Sequence, residues 1–258
     1  MKRQESPKTV IRNELILQQI ESIKADHPFW GYRRVWAYLR YVAKLEVNKK
    51  RILRLMRKHH LLVKPNMALK ACRTPQRSKP RADKPNQWWG IDMTKVKVEH
   101  YGWVYMVITL DWYTKKMVGY YAGLQCKSEH WLEALNMAVN RQFPDGVRGH
   151  KLSLMSDNGC QPTSISFMKA CRTLDIKQVF TSYNNPKGNA DTERMIRTIK
   201  EECLWLKEWQ NPFELINDFK NWAEDFNTSY LHSALGYKTP QQKETEYFNQ
   251  ENILFSVA

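Results

Sequence analysis

The sequence predicts an α/β chain: a mixed β-sheet with helices on its faces, preceded by a small all-α domain. Three observations predict it. Apolar residues recur at helical spacing near the N-terminus, three segments rich in Val, Ile, Tyr and Trp follow, and helical and strand-like segments then alternate. With 258 residues, 42% of them apolar, the chain can bury one medium core and a small satellite domain.

The helices come first. Ile11, Leu15, Ile16, Ile20 and Ile23 recur three or four residues apart, which predicts a helix over 10–23 with one buried stripe. A second short helix fits 34–41, entered through Pro28-Phe29-Trp30-Gly31-Tyr32. A third follows Asn48 as its cap, turning Ile52, Leu55 and Met56 inward while Lys49, Lys50, Arg51, Arg54, Arg57 and Lys58 form a basic surface. Three short helices with a basic last one resemble a helix-turn-helix module, here spanning 1–63, with Lys49, Lys50, Arg51 and Arg54 as candidate DNA contacts. Residues 64–87 interleave Pro65, Pro75, Pro80 and Pro85 with Lys and Arg, forming an extended basic linker. It either lies along a phosphate backbone, through bases such as Lys79 and Arg81, or separates two domains.

Charge supports that division. The formal +15 of the chain is uneven: residues 1–87 hold 22 Lys and Arg against 6 acids, net +16, whereas 88–258 hold 19 against 20, net −1. A basic part for holding a polyanion is thus joined to a nearly neutral working domain.

Segments 88–98, 102–111 and 116–123 read as three antiparallel strands, broken by turn-forming residues. A helix over 128–141, a strand at 152–155, a helix near 166–174, a strand at 177–180 and a helix from Asn189 complete a core over 88–210. In the remainder, 211–258, Phe213, Ile216, Phe219, Trp222 and Phe226 predict one more amphipathic helix packing on the sheet.

Several classes are excluded. No apolar run approaches the ~20 residues of a membrane span, and no hydrophobic signal region follows the start, so the chain reads as soluble and intracellular. Its five cysteines are odd in number and lack metal-binding spacing, as expected of reduced thiols. Walker A, GxGxxG, HExxH and GxSxG motifs are all missing.

Three carboxylates stand at the ends of elements. Asp92 lies in the first strand, Asp157 follows the strand Leu-Ser-Leu-Met-Ser and precedes Asn158-Gly159, and Glu193 falls in the first turns of a helix. Strand C-termini in open α/β sheets are where sites are built. On that helix Ile196, Ile199, Cys203 and Leu206 form the predicted buried stripe, and Glu193, Arg197 and Lys200 cluster beside it within roughly 60° of arc. Asp191 faces elsewhere. Taken singly, each acid has a plainer role, as a turn former or a helix-dipole partner. Together they are separated by 64 and then 35 residues.

That spacing resembles the DDE signature of the retroviral-integrase and transposase superfamily. The surrounding text is similar to bacterial insertion-sequence transposases encoded in two overlapping frames, specifically the downstream-frame catalytic half. The matching stretches are Trp30-Gly31-Tyr32-Arg33-Arg34-Val35, the run from Asn48 to Met56, Ser156-Asp157-Asn158-Gly159, Pro186-Lys187-Gly188-Asn189-Ala190 with Glu193 after it, and His232-Ser233-Ala234-Leu235-Gly236-Tyr237 before Thr239-Pro240. They cover nearly the whole chain in the family's order. The resemblance implies a ribonuclease H-like core in which Asp92, Asp157 and Glu193 are catalytic and bind two divalent ions, Mg²⁺ with Mn²⁺ as a substitute, while Lys200 assists DNA binding.

It further implies cleavage and strand transfer at insertion-sequence terminal repeats, by a homo-oligomer on DNA, alone or with an upstream-frame protein or as a fusion with it, in the bacterial cytoplasm near the nucleoid. The alternative is a non-catalytic DNA-binding regulator, an isolated fragment that occupies the ends. A ribonuclease H-type nuclease would share the core without explaining the basic N-terminal part. One departure stands out: where such transposases commonly carry Tyr-Asn followed by Arg and Pro, this chain has Phe226-Asn227-Thr228-Ser229-Tyr230-Leu231. Asp111 reads as structural, and His232 as a packing or capping residue.

Overall fold

A computed structural model describes residues 7–63, 80–181 and 188–256. The chain divides into two compact units, Met1–Arg73 and Thr74–Ala258.

In the first unit α1 (Pro7–Asp26) is followed by α2 (Tyr32–Ala37), which loosens into a π-helical turn at Tyr38–Val42, and by α3 (Lys49–Lys58). Ile16, Ile20, Ile23, Val35, Leu39, Ile52, Leu55 and Met56 are buried together. Asn48 caps α3 as expected, its Oδ1 accepting from the Lys50 N–H at 2.8 Å. Ile11 and Leu15 depart from the expectation and are exposed. At about 100° per residue the buried stripe is Asn13, Ile16, Ile20 and Ile23, and Leu15 and Ile11 stand about 100° and 140° around from Ile16.

The second unit contains a five-stranded sheet in the order β3-β2-β1-β4-β5. Strands β1 (Trp88–Val98), β2 (Gly102–Asp111) and β3 (Met117–Gly123) are antiparallel neighbours, whereas β4 (Ser153–Ser156) and β5 (Lys177–Phe180) run parallel to β1. Helices α4 (Ser128–Gln142), α5 (Ile165–Thr173), α6 (Ala190–Ile199), α7 (Pro212–Ser229) and α8 (Pro240–Ser256) complete it. This is the mixed sheet with helices that the alternation predicts.

Period-two alternation along β1 decides what each face does. Trp89 and Ile91 enter a core with Val107, Leu154 and the α4 and α5 residues Trp131, Leu135, Ala138 and Phe167. Gly90 and Asp92 therefore point the other way, toward α6 and α7. On that side Phe219 of α7 meets Tyr120 edge-on at 5.5 Å. Asn227 uses its carboxamide as a strand would: Oδ1 accepts from the Met117 N–H at 2.9 Å and Nδ2 donates to the Met117 carbonyl at 3.0 Å. The outer edge of β3 is thereby paired at that residue.

The buried stripe of α7 is Leu215, Phe219, Ala223 and Phe226, while Phe213 is 70% exposed. Asn211 caps this helix and Pro212 occupies its first position, so Phe213 lies in the opening turn, about 200° around from Leu215. Sequence periodicity does not reveal α8, whose Glu244 pairs with Lys116 at 2.5 Å.

Asp111 is structural, as the sequence suggests. Its Oδ1 accepts from the backbone N–H groups of Tyr113 and Thr114 and from the Thr114 hydroxyl, and its Oδ2 accepts from the Asn86 N–H at 2.7 Å. One buried carboxylate thus shapes the β2–β3 turn and anchors the segment entering β1. Replacing it by alanine strands buried donors, so Asp111→Ala is expected to lower the unfolding free energy by about 3 kcal/mol in urea titrations. Asp111→Asn, which keeps one acceptor, should cost less.

Candidate active site and nucleic-acid interface

The parallel pairing of β1 with β4 aligns Trp88 with Ser153, Trp89 with Leu154 and Gly90 with Met155. Continued by two residues, that register brings Asp92 level with Asp157, on strands that neighbour one another at roughly 4.8 Å. Asp92 accepts a hydrogen bond from the Met93 N–H at 2.8 Å. Asp157 leaves β4 into the Asn158-Gly159 turn, where its Oδ1 accepts from the Gly159 N–H at 3.1 Å. Asn158 fastens that turn to the end of β5 by donating to the Thr181 carbonyl at 2.7 Å.

The third acid arrives on α6. A β-carbon at Gly90 would lie 1.9 Å from Thr192 Oγ1 and 2.6 Å from Trp112 Nε1, so α6 approaches β1 where β1 has no side chain. The Trp112 indole donates to the Thr192 hydroxyl at 3.2 Å, and both residues are buried. Glu193 is the next residue.

Asp92 lies within electrostatic reach of the other two acids. Burial pushes Asp92 up to about 6; the Met93 N–H opposes the rise, the charges of Asp157 and Glu193 add to it, and Lys200 counters it. Asp92 therefore senses both other acids of the proposed triad and the base seven residues beyond Glu193. Their donors are all carboxylate oxygens, the chemistry a hard divalent cation requires. Among the described residues, no group of three or more His, Cys, Asp and Glu side chains is drawn together tightly enough to hold an ion as it stands.

The flanking bases divide. Arg197 pairs with Glu201 at 2.9 Å on the exposed side of α6. Lys200 begins a π-helical turn, Lys200–Leu204, and its Nζ lies 6.0 Å from the Trp205 ring centre. The wider turn changes the buried stripe: Leu204 is buried and the expected Leu206 is exposed. Asp191 pairs with Lys115 at 3.1 Å, away from the acids, as its helical position predicts. His232 caps a 3-10 turn, accepting from the Ala234 N–H at 3.2 Å.

In the N-terminal unit the expected DNA contacts have different neighbours. Lys50 and Arg54 are exposed, Lys49 lies over the Trp36 ring at 4.3 Å, and Arg51 donates to Asn13 at 2.8 Å. Thr9, Arg12, Asn48, Lys50, Arg51 and Arg54 line a cleft of about 380 Å³ that has no acid in its wall. Helical spacing alone does not single out Arg12. The available signal is Lys49-Lys50-Arg51 in the first turn of α3, where the helix dipole disfavours cations and favours an anion. Arg81 is exposed ahead of β1, while 64–79, including Lys79, and the Pro186-Lys187 pair lie outside the described residues. No helix among the described residues is long and apolar enough to cross a membrane.

Three family models match the chain: an HTH-like domain over 11–67, an integrase core domain over 82–186 and a second integrase core domain over 174–240. Over 232 residues the chain is 24% identical to the transposase InsD for insertion element IS2A/D/F/H/I/K of Escherichia coli, covering 88% of this chain and 77% of that protein. The IS2-9 transposase InsD of E. coli strain K12 is also 24% identical over 232 residues, covering 76% of its length. In fold the chain is similar to a chain of the simian T-cell lymphotropic virus intasome solved with PP2A regulatory subunit B56 gamma, with a TM-score of 0.57, 18% identity, and coverage of 87% of this chain and 74% of that one.

The close approach at Gly90 yields a test. Gly90→Ala is expected to fold but to lose about 1–3 kcal/mol as α6 shifts off β1. Hydrogen exchange should show faster exchange concentrated in α6, with α4 and α5 unchanged; uniform loss of protection would contradict this docking.

Proposed function

This chain joins an HTH-like domain to an integrase core domain and is homologous to the InsD transposase of insertion element IS2, and from that premise we propose that it is a DDE transposase cleaving and joining DNA strands at insertion-sequence ends. The observation that carries the reading is the β1–β4 register together with the docking of α6 at Gly90, which favours one neighbourhood for Asp92, Asp157 and Glu193. The charges of Asp157, Glu193 and Lys200 acting on Asp92 support it.

In this reading Asp92, Asp157 and Glu193 would hold Mg²⁺ or Mn²⁺. Divalent cations bound there supply Lewis acidity to a water or DNA 3′ hydroxyl and to the leaving oxygen of a phosphodiester. The chain's own residues prepare the ground: burial and the charges of Asp157 and Glu193 disfavour the ionised Asp92 carboxylate, so a cation beside it is favoured. Lys200, whose charge acts on Asp92, would meet a backbone phosphate, and Arg197 would first have to leave Glu201 to do so. No protein nucleophile is needed. Cys171 and Cys203 are unsuited to that role, because burial pushes both thiols up to about 12 and keeps them protonated.

The basic cleft between α1 and α3 supplies the hold on terminal-repeat DNA, as part of a homo-oligomer acting alone or with an upstream-frame protein. A regulator lacking catalysis would use the same cleft, so catalysis must be measured directly. With Mg²⁺ and a labelled terminal-repeat duplex, the wild type is expected to cut and join strands, and Asp157→Asn to bind DNA equally while losing at least about 10³-fold in rate. Equal binding with no joining by either protein, even with the upstream-frame product added, would leave the regulator. Removing one phosphate-binding cation from the cleft, as in Arg12→Ala or Lys50→Ala, should lower the slope of log affinity against log salt by about 1 for every DNA sequence alike.

A further inference from the structure

We propose that Asn189 is a positioning residue: its carboxamide, turned away from capping α6, sets where Glu193 stands relative to Asp92. The inference rests on the reading above, that these acids form one metal-dependent site.

Asparagine is among the best N-cap residues because its side-chain oxygen takes a free N–H of the first turn. Among the described residues Asn48 and Asn211 do so, accepting from Lys50 and Phe213 at 2.8 Å. Asn189 holds the N-cap position of α6, yet its side chain makes no capping bond. It is 3% exposed and reaches across to β1 instead, where Nδ2 lies 3.4 Å from the Ile91 carbonyl oxygen. Its Oδ1 is buried without a hydrogen-bond partner among the described residues, 2.6 Å from where a β-carbon at Gly90 would stand.

The two ends of this residue link the two acids. Its side chain holds the peptide group immediately before Asp92, and its backbone carbonyl accepts from the Glu193 N–H at 3.0 Å. Asp92, the Ile91 carbonyl, Asn189 and Glu193 thus form one short mechanical path between strand and helix. Helix stability alone would favour the ordinary cap and no orphaned oxygen, and local rules of this kind are broken where a site demands a particular geometry. A partner that orients a metal-binding residue without touching the metal commonly changes affinity by about 10- to 100-fold.

The test uses the full chain and Mn²⁺ as the probe, with binding followed by titration calorimetry and the manganese resonance signal. Asn189→Leu keeps the approximate shape without donor or acceptor, and Asn189→Ser keeps a small polar group that cannot span to β1. Both are expected to bind Mn²⁺ at least tenfold more weakly while their metal-free thermal midpoints stay near the wild type's. In strand joining kcat should fall with KM for DNA unchanged. Wild-type Mn²⁺ affinity in either folded variant overturns the assignment and leaves the metal site standing. Failure of both variants to fold without metal marks a purely structural role and overturns it too. If Asp157→Asn and Glu193→Gln also bind Mn²⁺ as the wild type does, the site reading falls and this inference with it.

Discussion

At Gly90 a helix and a strand meet with no side chain between them. The gap that a β-carbon would fill is occupied by Thr192, Asn189 and the Trp112 indole. Because the strand alternates, the residue two places on, Asp92, faces the same helix; because the helix is α, Glu193 follows immediately after Thr192. The sheet register supplies the remaining acid, through the parallel pairing of β1 with a four-residue strand that ends just before Asp157. Changing any one of these three constraints would leave two acids in place and the third elsewhere.

Much of this is legible in the sequence, because the signals are local. Strands β1, β2 and β5 fall on the predicted boundaries, and Asn48 caps α3 as its type suggests. Asp157 at a strand end and Glu193 near a helix start follow from turn chemistry and helical spacing. What escapes a sequence reading depends on partners distant in the chain. Nothing near Gly90 announces Thr192, a hundred residues later. Phe213 and Leu206 look like stripe residues until a proline-started turn and a π-helical turn rotate them outward. Ile11 and Leu15 match helical spacing but stand on another side of α1 from the buried Asn13, Ile16, Ile20 and Ile23. Arg12 joins its basic neighbours only when α1 lies against α3.

The uneven charge of the chain acquires a physical sense. In the N-terminal unit cations crowd the positive end of a helix dipole and line an acid-free cleft, a cost that an anionic backbone would relieve. In the second unit carboxylates repel one another around a half-buried Asp92, a cost that a cation would relieve. The two frustrations are opposite in sign, and the proposed metal-assisted DNA chemistry would satisfy both.

The central claim is that Asp92, Asp157 and Glu193 share one divalent-cation site, and affinity cleavage tests it without requiring catalysis. Fe²⁺ substituted for Mg²⁺, with ascorbate and peroxide, generates radicals that cut the polypeptide close to the bound metal, and mass spectrometry maps the cuts. The account predicts cleavage clustered around residues 92, 157 and 193 together, suppressed by excess Mg²⁺ and abolished in Asp157→Asn. Cuts confined to one of these segments, or spread over unrelated carboxylates and insensitive to Mg²⁺, would contradict it.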